Sequence, residues 1–213
     1  MSRVNQTLID SMVDDMQPVA PLRANYGWAL VAAAAAIGAL GVWLTAGLWR
    51  GGYRGDAEAI FYAANGMLLV LGAAASASAV VMASPGVGTR HDGPRWGMAM
   101  LAVLPLAAVV SALAKGSTGA ILNDPYGLEC MAHALVASSA TAIALTLWLR
   151  RGAPVNPRNA GMLAGVAAGA LGSAAYGLSC PIDTLEHLAI WHTLPVLIGG
   201  VVGRYAIARV LSW

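Results

Sequence analysis

The sequence predicts an all-α, polytopic membrane protein: six transmembrane helices in a bundle, preceded by a short N-terminal amphipathic helix. Of its 213 residues, 58% are hydrophobic and only 10% are charged, whereas soluble proteins carry roughly a quarter charged residues. The mean hydropathy is +0.67. The 12 basic and 10 acidic residues therefore leave long uncharged runs, and a helix needs about 20 such residues to cross a bilayer.

Six apolar runs define the predicted spans, and short polar connectors separate them. The runs cover approximately 26–48, 61–83, 96–113, 130–149, 160–178 and 188–207. No connector is long enough to form a domain of its own. We therefore expect two parts, a polar N-terminal segment at residues 1–25 and a transmembrane domain at residues 26–213.

The distribution of basic residues predicts the orientation, because loops rich in Lys and Arg stay in the cytoplasm. One side would carry nine of them: Arg3, Arg23, Arg90, Arg95, Arg150, Arg151, Arg158, Arg204 and Arg209. The other side would carry three: Arg50, Arg54 and Lys115. This asymmetry places both termini in the cytoplasm, in agreement with an even number of spans.

Glycines recur every four residues in the last two spans. Gly161, Gly165 and Gly169 share one face of the fifth span, and Gly199 and Gly203 share one face of the sixth. Such spacing lets two helix backbones approach closely. Packing within the chain is the favoured interpretation, and a seam between two copies in a homo-oligomer is the alternative.

The N-terminal segment contains a candidate partner-binding helix. Its apolar residues fall on one helical stripe, and they are Leu8, Ile9, Met12, Val13 and Met16. Asp10, Asp14 and Asp15 lie on the remaining arc. Helices that lie on membrane surfaces favour a basic polar face, so the acidic arc favours a partner protein with an apolar groove and a basic rim. The membrane surface is the alternative.

Two cysteines mark the outer side. Cys130 begins the fourth span and Cys180 follows the fifth, so both are expected at the outer membrane face, where a disulfide can form and persist. His133, His187 and His192 are predicted on the same side, and Trp191 is expected as an interface anchor. Thiolate and imidazole together suit zinc, copper or cadmium.

Three hypotheses fit this outer group. The cysteines could form a structural disulfide or a redox-responsive pair, or they could join His133, His187 and His192 as candidate metal ligands. The sequence has neither a Cys-x-x-Cys nor a His-Glu-x-x-His motif. Thiol chemistry at Cys130 and Cys180 is therefore favoured over metal ligation, and no cofactor is expected beyond a soft or borderline metal ion at this face.

At both ends the sequence resembles the NrsF-like bacterial membrane anti-sigma factors. The N-terminal run TLIDSMVDDMQPVAPL, residues 7–22, is similar to the cytoplasmic opening of that family. The outer motifs are GLEC at 127–130 and CPID at 180–183, followed by His187 and by WHTLPV at 191–196. The six spans match by hydropathy, so the resemblance covers the whole chain.

This resemblance implies a regulator in the bacterial inner membrane rather than an enzyme. The N-terminal helix would hold an extracytoplasmic-function sigma factor away from RNA polymerase, with the apolar stripe as the contact. An envelope redox or metal stress signal, read through Cys130 and Cys180, would release it. The Gly-rich fifth span, next to Cys180, is the expected moving part. No direct contact with nucleic acid is expected, and the net charge of +2 agrees with this.

Two other classes of function are the alternatives. A membrane thiol or metal redox protein of the thiol-quinone type normally relays electrons between two cysteine pairs, and this chain has two cysteines in all. A small-solute transporter should show internal repeats and polar or broken helices near the midplane. The spans here consist mainly of Ala, Leu, Gly and Val, so a transporter is not favoured. A single pair of cysteines likewise does not favour the redox protein.

Overall fold

The computed structural model describes residues 3–15, 22–85, 93–116 and 124–212. Within these residues, six helical segments are long and apolar enough to cross a membrane, which confirms the predicted fold class. The predicted binding residue Met16 and the inner-loop residue Arg90 lie outside the described residues.

The helices follow the predicted runs to within a few residues. In chain order they are α1 (Arg3–Asp14), α2 (Ala24–Ala46), α3 (Arg50–Arg54), α4 (Ala59–Met82), α5 (Gly93–Ala114), α6 (Gly127–Arg150) and α7 (Pro157–Gly177). The sixth span, Leu185–Leu211, is not one regular helix. It consists of α8 (Leu185–Trp191), α9 (Leu194–Val202), a π-helical turn (Gly203–Ile207) and α10 (Ala208–Leu211).

Local sequence signals account for several helix ends. The Asn156 side chain accepts a hydrogen bond from the Asn159 N–H (3.1 Å) and caps α7, whose first residue is Pro157. Proline suits that position because its missing N–H has no partner there in any case. A glycine ends α2: Gly47, the residue after the helix, has a φ of 73°, a conformation that residues with a side chain rarely adopt.

Contacts between the connectors after α2, α5 and α7 bring these connectors and the two cysteines to one end of the bundle. The Trp49 N–H donates to the Leu178 carbonyl (2.9 Å), and the Glu58 N–H donates to the Asp183 carboxylate (3.0 Å). Lys115 forms an ion pair with Glu186 across 3.3 Å. We call this end, formed by residues 47–58, 124–126 and 178–184, the cysteine end.

The opposite end collects most of the described arginines. The Ala153 N–H donates to the Ala83 carbonyl (2.9 Å), which joins the connector after α6 to the end of α4. Arg204 donates to Asn159 across 3.4 Å, which joins the sixth span to the start of α7. We call this end, with Arg150, Arg151, Arg158 and Arg204, the arginine end.

The centre of the bundle is α7, the most deeply buried of the six spans. The three glycines of its predicted stripe face backbone: a Cβ at Gly161 or Gly165 would overlap the carbonyl oxygen of Gly203 or Gly199 respectively. Gly169 faces the Pro195 carbonyl in the same way. The two predicted glycine stripes therefore pack on each other within one chain.

The break in the sixth span places a histidine inside the bundle. Pro195, at the start of α9, has no N–H to donate to the Trp191 carbonyl one turn earlier. The Thr193 hydroxyl instead donates to the Ala189 carbonyl (2.6 Å). His192 lies in this break and is 1% exposed, so the irregular backbone positions part of the candidate site.

Candidate functional site

The structure brings the two cysteines together at the cysteine end. Cys130 lies in the first turn of α6, and Cys180 lies in the connector between α7 and α8. Their Sγ atoms are 3.7 Å apart as free thiols. Both side chains are buried in an apolar cluster that includes Val42, Ala134 and Tyr176. The pair is therefore close and shielded from bulk water.

His187 adjoins this pair and is oriented by a carboxylate. Its Nε2 lies 3.4 Å from the Cys180 Sγ, and its Nδ1 lies 2.6 Å from an Asp124 carboxylate oxygen. Because an ionised carboxylate can only accept, this contact places the ring proton on Nδ1 and leaves the Nε2 lone pair facing the cysteines.

His192 completes the group from the break in the sixth span. Its ring lies 5.5 Å from the ring of His187, centroid to centroid. Although the side chain is 1% exposed, neither ring nitrogen has a hydrogen-bond partner among the described residues. A buried polar atom without a partner is costly, so this imidazole is a notable feature of the site.

Together, Cys130, Cys180, His187 and His192 form one compact group, in which one potential ligand atom from each residue lies within 4.8 Å of all the others. All four side chains are buried. We call these four residues the Cys-His cluster. Three separate segments supply it: the start of α6, the connector after α7, and the first part of the sixth span.

His133, the third predicted histidine ligand, is not part of this group. Its Nδ1 contacts the Glu129 carbonyl across 2.9 Å, and its ring stacks on Tyr176 with centroids 5.1 Å apart. It is only partly buried. Of the three predicted histidines, the structure therefore places His187 and His192 around the cysteines and leaves His133 beside them.

The surroundings of Cys180 favour its neutral form when the site holds only protein. The Cys130 sulfur and the burial of the side chain both raise the pKa of the Cys180 thiol. A free, permanently ionised thiolate at Cys180 is therefore disfavoured. The Cys180 thiol is suited either to oxidation into a disulfide with Cys130 or to loss of its proton when a cation binds.

Two residues of the site escape sequence reasoning. Asp124 precedes His187 by 63 residues, and no local motif links them. Trp191, predicted as an interface anchor, is instead 9% exposed, and its indole occupies the space where a Cβ on Gly127 would lie. This contact holds the start of α6 against α8, and the only signal for it was a glycine just before Cys130.

The second candidate site is the helix α1. Its apolar side chains are exposed: 60% for Leu8, 49% for Ile9, 65% for Met12 and 53% for Val13. Asp10 and Asp14, on the acidic arc, are exposed as well. Within the described part of the helix, no apolar neighbour buries the stripe.

Comparison with known families assigns the chain. The family model described as negative regulator of sigma F, NrsF, matches residues 12–213. This chain belongs to that family. The matched range contains the whole Cys-His cluster and all six spans, whereas Leu8 and Ile9 precede it.

A curated relative carries the same description. The chain is 31% identical over 148 residues to the anti-sigma-F factor NrsF of Caulobacter vibrioides, and the alignment covers 68% of each protein. No solved structure matches the chain. Membership in this family assigns the chain to regulatory proteins, named for the negative control of a sigma factor.

Proposed function

We propose that this protein is an anti-sigma factor of the bacterial inner membrane. In this proposal α1 holds an extracytoplasmic-function sigma factor at the cytoplasmic face, and a redox or metal stress signal at the cysteine end releases it. The observation that carries the proposal is the exposed apolar stripe of α1 in a chain that belongs to a family of negative regulators of a sigma factor.

The stripe is suited to binding a protein partner. An isolated helix of 12 residues is marginal in water, because nucleation costs outweigh so few hydrogen bonds. A groove that covers Leu8, Ile9, Met12 and Val13 would stabilise it, in the helix-in-groove mode. Met16 continues the same register and belongs to the proposed contact. The acidic arc predicts a basic rim on the partner groove.

The charge distribution supports the orientation. Arg150, Arg151, Arg158 and Arg204 lie at the arginine end, together with the start of α2, where Gly27 packs against Trp148 of α6. If that end is cytoplasmic, as basic residues favour, then α1, which precedes α2, lies on the side of the membrane where a sigma factor is found. The cysteine end then faces the oxidising periplasm.

A signal at the cysteine end could reach the arginine end through α7. The Cys180 N–H donates to the Tyr176 carbonyl in the last turn of α7 (3.2 Å), and the far end of that helix packs through Gly161 on the sixth span. A switch needs a signal that stabilises one of two packings by a few kcal/mol. Because α7 is central, a small shift in it would alter several interfaces at once.

The test is co-purification of the sigma factor with the full-length protein and with a double variant, Leu8→Asp with Met12→Asp. Burying two unpaired charges should abolish binding. The control is Ser11→Asp, which adds a negative charge on the polar arc of the same helix instead of on the stripe. Loss of the sigma factor from the double variant alone supports the proposal. Equal retention by both variants, with both proteins inserted in the membrane, contradicts it.

A further inference from the structure

We propose that the Cys-His cluster is a tetrahedral binding site for a borderline or soft divalent cation, with Zn²⁺ as the representative ion. Cys130, Cys180, His187 and His192 would supply the four ligand atoms, and Asp124 would orient His187 from behind. The site is argued from the geometry of the cysteine end and does not depend on the proposed binding of a sigma factor.

Two distances in the cluster match a tetrahedron around zinc, and all four potential ligand atoms lie within 4.8 Å of one another. With Zn–S of about 2.3 Å and Zn–N of about 2.05 Å, tetrahedral geometry separates two sulfurs by about 3.8 Å and a sulfur from a nitrogen by about 3.6 Å. The structure has 3.7 Å between the cysteine Sγ atoms and 3.4 Å from Cys180 Sγ to His187 Nε2. A disulfide would require sulfurs about 2.05 Å apart.

His192 is the observation that points most directly to a ligand. Its ring is 1% exposed, and no described residue bonds to either ring nitrogen. Leaving such a group unpaired destabilises the fold, and a hydrophobic side chain at the same place would avoid this cost. A bond from one ring nitrogen to a cation would give that nitrogen a partner, which accounts for an imidazole in the break of the sixth span.

Asp124 adds the outer contact that zinc-binding histidines usually have. Its 2.6 Å contact with Nδ1 of His187 fixes the tautomer, so that Nε2 presents a lone pair toward Cys180. A carboxylate behind a ligating histidine makes the ring a stronger ligand, and its loss typically lowers metal affinity by about 10–100-fold. This pair therefore has the arrangement of a prepared metal ligand.

The donor set also selects the class of ion. Two thiolates and two imidazoles suit tetrahedral Zn²⁺, whereas Mg²⁺ and Ca²⁺ require oxygen ligands. Each cysteine loses a proton when it binds, and the two thiolates balance the charge of the divalent ion. The cation would thus be neutralised within a buried, apolar surrounding, which an uncompensated charge could not occupy.

The test uses the purified full-length protein in detergent, stripped of metal and titrated with Zn²⁺ and with Co²⁺ as a spectroscopic substitute. We expect one equivalent of either ion to bind. Bound Co²⁺ should show thiolate-to-cobalt charge-transfer absorption and the strong visible bands of a tetrahedral site. This spectrum reports the ligands of the wild-type protein, so it does not depend on any variant folding.

Variants then assign the ligands. Cys130→Ser and Cys180→Ser should lose the charge-transfer band in proportion to the sulfur removed, and His192→Gln should weaken binding by at least about tenfold. The matched control is His133→Gln, one helical turn from Cys130 and outside the cluster, which should bind as the wild type does.

Three results would overturn the proposal. The first is a wild-type protein that binds no Zn²⁺ at micromolar concentration, and the second is one that binds Co²⁺ without sulfur charge transfer. The third is a loss of affinity in His133→Gln as large as in His192→Gln. Since no sigma factor is present in these measurements, each of these results leaves the proposed sigma-factor binding untouched, and loss of sigma-factor binding leaves the metal site untouched.

Discussion

A carboxylate oxygen of Asp124 lies 2.6 Å from Nδ1 of His187. This contact joins the short segment before α6 to the first turns of the sixth span, and it turns the opposite ring nitrogen toward Cys180. Asp124 also accepts the Tyr126 N–H (2.9 Å) through its other oxygen, so the carboxylate itself is fixed. The histidine is thus held in place from both sides.

Asp124→Asn should weaken Zn²⁺ binding by about 10–100-fold. The amide has one acceptor oxygen, which can keep the Tyr126 N–H, but its NH2 group then faces His187 Nδ1 and no longer accepts the ring proton there. The fold should therefore be retained while the ligand weakens. Competition with a chromophoric chelator measures the affinity. The control is Asp56→Asn, an exposed acid at the same end of the bundle. Equal affinities for the two variants would show that Asp124 does not orient His187 as a metal ligand.

Cys130→Ser, Cys180→Ser and the double variant should behave alike. Because the Sγ atoms are 3.7 Å apart, the two thiols would act together, in a disulfide or as ligands of one cation, and neither can do so alone. Coupled residues of this kind give effects that do not add. Sigma-factor release in response to oxidants or cadmium, followed with a reporter gene, measures this. The control is His133→Ala, which lies outside the cluster.

The protein level in the same strains separates two roles for the cysteines. A structural staple predicts less protein in all three cysteine variants. A sensor predicts normal protein levels with an altered response. Additive effects of Cys130→Ser and Cys180→Ser would show that the two thiols act independently.

The spans were predictable because apolar runs of about 20 residues have few alternatives in a membrane. The meeting of Cys130 with Cys180 followed from counting spans, since both fall at the same end of the bundle. The partnership of Asp124 with His187 did not follow, because it joins segments 63 residues apart without a shared motif.

The sequence also could not predict which histidines join the Cys-His cluster. His133 lies three residues after Cys130 and was an equal candidate by spacing, yet its ring stacks on Tyr176. His192 enters the cluster because Pro195 and Thr193 interrupt the sixth span, where hydropathy indicates one continuous helix. Side-chain direction depends on such local backbone geometry, which hydropathy does not record.

Reporter fusions should place both termini and the arginine end in the cytoplasm. The nine basic residues assigned to that side, against three on the other, favour this orientation. Alkaline phosphatase, which is active only in the periplasm, should be inactive when fused after Arg158 and active when fused after Arg54. The reverse pattern would place the cysteines in a reducing compartment and remove the basis for thiol oxidation there.

Gly165→Ala should destabilise the bundle. The added Cβ would overlap the Gly199 carbonyl oxygen, and both partners are backbone in the contact between α7 and the sixth span, so neither can move aside cheaply. Overpacking of this kind typically costs about 1–3 kcal/mol. The midpoint of thermal unfolding in detergent, followed by circular dichroism, should fall.

The matched control for Gly165→Ala is the same substitution at Gly66, in the interior of α4. A Cβ there meets nothing within 4 Å, and alanine is favoured over glycine inside a helix by roughly 0.5–1 kcal/mol. Gly66→Ala should therefore leave the midpoint unchanged or raise it slightly. If both variants unfold at the wild-type temperature, the close contact between α7 and the sixth span does not hold the bundle together, and the glycine stripes need another explanation.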